Sequence, residues 1–178
     1  MSEGLRLRPV AEADLDSFDV MFADPDMIGV FNWGGFGSAA KWRRMWAENR
    51  LLAPDKSVLI AELDGAAIGF VSWNRENTSA NSYFLEFGIS LWPDFRGKGH
   101  GTTVQRLLAR YLFAHAPINR IQAITDAENF AEQRSLEKAG FTREAELKGR
   151  IFRDGAWRDE IMYRMVRSEL PTSDGPAT

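Results

Sequence analysis

The 178-residue chain has no cysteine and only two histidines, His100 and His115. The first absence excludes disulfides, thiolate metal sites and a cysteine nucleophile, and the second leaves too few imidazoles to expect a metal centre. No apolar run approaches the ~18 residues of a membrane span, and the opening Met1-Ser2-Glu3-Gly4-Leu5-Arg6 lacks an apolar core. The sequence therefore predicts a cytoplasmic protein with no membrane partner. Charge of one sign is not concentrated either. Lys+Arg 22 against Asp+Glu 25 leaves a dispersed net charge of -3, no footprint for nucleic acid. What is present is globular: 44% hydrophobic and 26% charged residues, in a length that suits one domain.

Hydrophobic periodicity divides the chain into elements. Leu5 to Pro9 alternates like a short strand, and Ala11 to Ala23 carries helical spacing through Leu15, Phe18 and Phe22. Asp24 to Ser38 reads as a loop with four glycines among aromatics, before a helix over Ala39 to Leu52 with Trp42 and Trp46 one turn apart. Ser57 to Leu63 and Ala66 to Trp73 are β-rich runs joined by Asp64-Gly65, a hairpin dipeptide. Tyr83 to Leu91 is a further strand, Gly101 to His115 an amphipathic helix, Asn119 to Thr125 a buried strand, and Asn129 to Ala139 a helix closed by Gly140. Phe141 to Lys148 and Trp157 to Val166 alternate as strands around Asp154-Gly155. Hairpins combined with a strand-helix-strand crossover predict an α/β domain with a mixed sheet over residues 1–170, followed by a disordered tail over 171–178.

Arg96-Gly97-Lys98-Gly99-His100-Gly101 lies between a strand and the strongest helix, with Thr102 and Thr103 in the first turn. Alternate glycines let the backbone turn tightly, successive amides can point inward, and the positive helix end attracts phosphate. Arg96 and Lys98 add cations. A strand-to-helix turn needs glycine for its own sake, so the functional reading rests on glycines and cations occurring together. The P-loop pattern GxxxxGK[ST] is absent, and a dinucleotide GxGxxG fails because Thr102 stands at its third glycine. Asp126, at the end of the next strand, keeps a nucleotide-binding oxidoreductase open.

Arg96-x-x-Gly99-x-Gly101 resembles the RxxGxG pyrophosphate loop of the GNAT superfamily of acyl-CoA-dependent N-acyltransferases. Asn129, then Leu136-Glu137-Lys138-Ala139-Gly140-Phe141, is similar to the family segment in which an asparagine opens a short helix ending in Gly-Phe. Leu5-Arg6-Leu7-Arg8-Pro9 and the last two strands resemble the ribosomal-protein N-terminal acetyltransferase (RimJ/RimL-type) branch, so the likeness spans about residues 4 to 168. It implies the GNAT fold, a mostly antiparallel sheet splayed at the cofactor site with helices on both faces. It also implies acetyl-CoA as cosubstrate, no metal, and a primary amine acceptor, either a peptide or protein N-terminus or a small metabolite. Attack would be direct in a ternary complex, and a homodimer is left open. Ile89 and Leu91 would pair through their backbone with the pantetheine arm, as an added strand does. Arg96, Gly97, Lys98, Gly99, His100, Gly101 and Thr102 would hold the diphosphate, largely through amides, with Asn129 beside the pantetheine.

Aminolysis of a thioester needs an unprotonated amine, a place for carbonyl charge and a proton for the thiolate. Glu86, a carboxylate inside an apolar strand, is the candidate general base, with burial raising its pKa; a solvent-facing or arginine-paired carboxylate is the alternative. The backbone amide near Ile89 would receive the oxyanion. At the thiolate the chain departs from its relatives. Leu136 stands where many carry tyrosine, Glu132 stands where ribosomal-type enzymes often carry serine, and Ser135 lies about 100° around the helix from Leu136. These departures keep a non-catalytic acyl-CoA-binding domain open. Asn129 and Glu132 also fit a helix capping box that needs no ligand. Phe31, Trp33 and Phe36 in the Gly-rich loop, with Phe152 and Trp157 near the last turn, would wall a site for a cationic amine. The alternative places the loop aromatics in the core.

Overall fold

Strand alternation and helical spacing sort the apolar side chains of residues 4–170, which the computed structural model describes, onto the two faces of one sheet. The elements run β1 (Leu5–Pro9), α1 (Leu15–Ala23), α2 (Pro25–Ile28), α3 (Ala40–Asn49), β2 (Lys56–Leu63), β3 (Ala66–Ser79) and β4 (Ser82–Leu91). They continue through α4 (His100–His115), β5 (Arg120–Asp126), α5 (Phe130–Ala139), β6 (Thr142–Arg153) and β7 (Ala156–Val166). Leu59 and Ala61 of β2 turn to the face where Leu108 and Leu112 of α4 and Leu136 of α5 pack. Their neighbours Val58 and Ile60 turn to the opposite face with Phe18 and Met21 of α1, against which Trp42 and Trp46 of α3 close.

The seven strands lie in the order β1-β2-β3-β4-β5-β7-β6. Every pairing is antiparallel except β4 with β5. Two of the hairpins close on Asp64-Gly65 and Asp154-Gly155, whose paired positive φ values (49° and 85°, 50° and 74°) are those of a type I′ turn. The stretch read as loop from Asp24 contains α2. Asp24 caps it by accepting from the Asp26 amide at 2.9 Å, with Pro25 in the first turn. β3 and β6 extend further than their hydrophobic alternation predicts, and the tail over 171–178 lies outside the described residues.

The site originates in the sheet. β4 and β5 share only the rungs Leu85↔Ile121, Glu86↔Gln122 and Phe87↔Ala123, although β4 runs on to Leu91 and β5 to Asp126. Beyond Phe87 the two strands part, leaving the edge of β4 from Gly88 to Leu91 without a strand partner on that side. Such an edge presents backbone donors and acceptors to any extended ligand.

Candidate active site

The parting strands open a cleft of about 570 Å³, within the range of small-molecule sites. Its walls are Gly88, Ile89, Ser90 and Leu91 of β4, Ile124 and Thr125 of β5, Arg96, Gly97 and Gly99 of the connecting loop, Gly101 and Thr102 of α4, and Asn129, Glu132 and Ser135 of α5. Ser90 Oγ is buried with no protein partner, a polar atom available to a ligand amide.

The glycines of the loop have separate reasons. Gly97 and Gly99 sit at φ 71° and 82°, the left-handed region, and a Cβ at either would meet nothing within 4 Å, so the backbone there borders open space. Gly99 precedes α4, a 16-residue helix with no side-chain cap, whose first amides are therefore left for an anion. Gly101 instead lets α4 approach α5: a Cβ there would stand 3.2 Å from Ser135 Oγ. Arg96 borders the cleft, but its guanidinium donates to the carbonyls of Leu91 (2.8 Å), Asp26 (3.0 Å) and Met27. It latches α2 to the end of β4, and what it offers a diphosphate is chiefly charge. Lys98, 6.0 Å from the Phe95 ring centre, and His100 do not border the cleft.

On α5, Leu136 is fully buried in the core, whereas Glu132 and Ser135, three residues apart and so on one helical face, both border the cleft. The rotation of about 100° from Leu136 is what brings Ser135 there. Asn129 Oδ1 accepts from the Glu132 amide at 3.2 Å, the N-cap half of the box. The Glu132 carboxyl does not complete the box. It accepts from Nε2 of the fully buried Gln105 at 2.6 Å, Gln105 Oε1 accepts from Ser135 Oγ at 3.2 Å, and Ser135 Oγ lies 3.2 Å from Thr102 Oγ1. Glu132 borders the cleft, and burial pushes its carboxyl up to about 8, against a smaller lowering by the Gln105 bond.

This raised proton affinity also makes stability depend on pH. Between 4.5 and about 8 the folded protein holds a proton that an unfolded glutamate has released, so stability falls as pH rises through this window. Thermal melts should show wild type losing stability relative to Glu132→Gln from about pH 5 to about pH 8, by at most about 1.4 kcal/mol per pH unit. A constant difference between the two proteins across that range would exclude the neutral carboxyl.

A second cavity of about 200 Å³ shares Phe31, Asn32, Ile124 and Thr125 with the cleft and adds Trp33, Asp126, Phe152, Arg153 and Glu160. Buried Arg153 donates to Asp126 Oδ2 (2.6 Å) and the Val30 carbonyl (3.3 Å), with its guanidinium 5.1 Å from the Phe31 ring centre. It thereby ties the aromatic loop to the end of β6. Asp126 also accepts from the Glu128 amide at 2.8 Å. The carboxylate that a nucleotide site would require is thus committed to structure. Glu160 pairs with Arg150. The loop aromatics belong to neither core: Phe31 and Trp33 border the cavity, while Phe36 is 85% exposed and stacks edge-on against Trp33 at 5.2 Å. Phe152 borders the cavity too, and exposed Trp157 stacks on it at 5.5 Å without reaching the cavity.

Glu86 is half-buried, and its Oε2 accepts from Gln122 Nε2 at 2.7 Å across a shared rung. Among the described residues it has no arginine partner, and it borders neither cavity. Strand alternation puts it on the sheet face of Gln122, Ile124 and Asp126, where the second cavity opens, one rung below the parting of the strands. Sequence reasoning missed Gln105, Arg153 and Glu160 altogether. The available signal was a glutamine beside the apolar stripe of α4.

A mixed sheet splayed at its one parallel pair, with a glycine-entered, uncapped helix at the mouth of the cleft, suits an extended ligand that carries an anionic group. Residues 4–142 match the acetyltransferase (GNAT) domain family, and the chain belongs to that family. It is an acyltransferase whose cosubstrate is acetyl-CoA. The chain is 25% identical over 176 residues to the SPbeta prophage-derived uncharacterized N-acetyltransferase YokL of Bacillus subtilis (strain 168), covering 97% of this chain and 96% of that protein. It is 30% identical over 102 residues to spermidine N(1)-acetyltransferase of Escherichia coli (strain K12), covering 57% and 54%. Among solved structures, spermidine N-acetyltransferase from Vibrio cholerae in complex with CoA and spermine matches with a TM-score of 0.81 at 19% identity over 94% of this chain and 98% of that one. Mycobacterium smegmatis RimJ in complex with CoA-disulfide matches at 0.77 and 24% identity over 95% and 85%. A RimJ thus stands beside spermidine acetyltransferases in fold likeness, which does not single out the ribosomal-protein branch. Neither the non-catalytic domain nor the oxidoreductase is favoured. No helix among the described residues is long and apolar enough to cross a membrane.

Proposed function

We propose that the protein transfers acetyl from acetyl-CoA to the primary amine of a small cationic acceptor, by direct attack in a ternary complex. The observation that carries this reading is the junction of the two cavities at Ile124 and Thr125, where a thioester along the free edge of β4 would meet an amine entering past the aromatic rings of the second cavity. In this reading Ile89 and Leu91 pair with the pantetheine, the amides from Lys98 to Thr102 receive the diphosphate, and Asn129 lies beside the arm. The Ile89 amide stabilises the oxyanion, and Glu86 takes the amine proton directly or through water.

Phe31, Trp33 and Phe152 suit a cationic amine, whose charge their ring faces can hold, while Asp126 and Glu160 are engaged by Arg153 and Arg150. Spermidine acetyltransferases among the relatives support a polyamine-like acceptor over a peptide N-terminus, the choice that the ribosomal-protein branch would imply. Turnover of acetyl-CoA against a panel of polyamines, small monoamines and N-terminal peptides tests that choice, and a preference for peptides would reverse it.

Trp33→Ala should raise the acceptor KM roughly tenfold with nearly unchanged acetyl-CoA affinity and Tm, because the ring lies outside both cores. Steady-state kinetics and a melt decide it. A truncated core aromatic would instead cost about 3 to 5 kcal/mol of stability and leave KM alone.

A further inference from the structure

Acetyl transfer, on which this inference rests, ends with a sulfur that needs a proton. Leu136 is fully buried in the core and brings no hydroxyl to the cleft. Glu132, one turn earlier, borders the cleft, and its bond from Gln105 engages Oε1 alone, leaving the second oxygen free. Gln105 is itself fixed, being fully buried and held on its other side by Ser135 Oγ at 3.2 Å. The strand residues of the cleft, Thr102 and Gln105 of α4, and the loop residues from Ile28 to Asn32 carry no charge. The charged neighbours are the cations Arg96, Arg134 and Lys138, so Glu132 is the one carboxyl bordering the cleft among the described residues.

We propose that Glu132 is the proton donor to the departing sulfur of coenzyme A. When the tetrahedral adduct collapses, the C–N bond has formed and the amine proton has gone to Glu86 or water. The C–S bond then breaks, its electron pair goes to sulfur, and the O–H proton of Glu132 moves to that sulfur. The products are the amide, the CoA thiol and a Glu132 carboxylate, which water reprotonates before the next turnover. The elevated affinity of Glu132 for its proton, with a pKa of about 8, keeps the acid loaded at neutral pH and close to the ~8.5 of a thiol.

The test uses the full chain with acetyl-CoA and an amine that wild type acetylates, measuring kcat from about pH 6 to about pH 10 and acetyl-CoA affinity by calorimetry. Wild-type kcat should fall on an alkaline limb near about 8, since the acid must be protonated. Glu132→Gln should lower kcat by at least about tenfold, lose that limb and bind acetyl-CoA within about twofold of wild type. Glu132→Asp should retain the limb and part of the rate, and it decides the matter if the glutamine variant does not fold. A wild type without the limb, a glutamine variant with wild-type kcat, or a loss confined to acetyl-CoA affinity would each overturn the assignment. A greater loss of kcat in Ser135→Ala than in Glu132→Gln would transfer the role to the serine. A wild type that binds acetyl-CoA but acetylates no amine would defeat the transferase reading itself, and this proposal with it.

Discussion

Gly99→Glu should weaken acetyl-CoA binding by more than about 10²-fold while the protein stays folded. Gly99 sits at φ 82° just before α4, and a side chain there extends into open space rather than into the protein. The strain of a non-glycine residue in this region is about 1 to 2 kcal/mol. Electrostatics outweighs that strain. A carboxylate at the N-terminus of an uncapped helix takes the amides and positive potential that a diphosphate needs, and repels the diphosphate as well. That strain alone acts on the fold, so Tm should fall by only a few degrees as binding is lost. Gly99→Ala carries the strain without the charge and should keep most of the affinity. Calorimetry that finds full affinity in a folded Gly99→Glu variant would place the diphosphate elsewhere.

The second large effect is expected at Glu86, where Glu86→Gln should lower kcat by about 10²-fold or more with acetyl-CoA affinity nearly intact. The substitution is mild structurally, because a glutamine oxygen can still accept the Gln122 bond that holds Glu86 at the last rungs before the strands part. What it removes is the capacity to take a proton. The acidic limb of the pH profile should therefore change along with kcat, while Tm stays close to wild type. Wild-type turnover with the same limb would reduce Glu86 to an anchor for Gln122, and the amine would have to lose its proton to water alone.

What the sequence made legible is local. Asp-Gly pairs gave the hairpins, the glycine run and apolar stripe gave the loop and α4, and Asn129 with Gly140 bracketed α5. What stayed hidden depends on contacts between distant segments. Arg96 carries the motif signal for phosphate, yet its donors reach the carbonyls of Asp26 and Met27, 70 and 69 residues away. The Glu132–Gln105 bond joins two helices across 27 residues of chain, and the raised proton affinity of Glu132 comes from burial, which the bond opposes, rather than from either residue's type. Whether Leu136 or Ser135 faces the cleft is a matter of how α5 docks, since a rotation of about 100° exchanges them. The second cavity needed Arg153 to bring β6 against the loop at Val30, and nothing near Arg153 in the chain announces that partner. The cleft itself arises where β4 and β5 cease to pair, a property of two strands together.

The most direct measurement is a single assay that follows free CoA thiol and the acceptor's mass when the purified protein meets acetyl-CoA and a polyamine. Expected is thiol release in step with acetylated acceptor, dependent on the amine and lost in Gly99→Glu. Acetyl-CoA bound tightly, with no acetylated product from any primary amine and no thiol beyond spontaneous hydrolysis, would contradict the transferase.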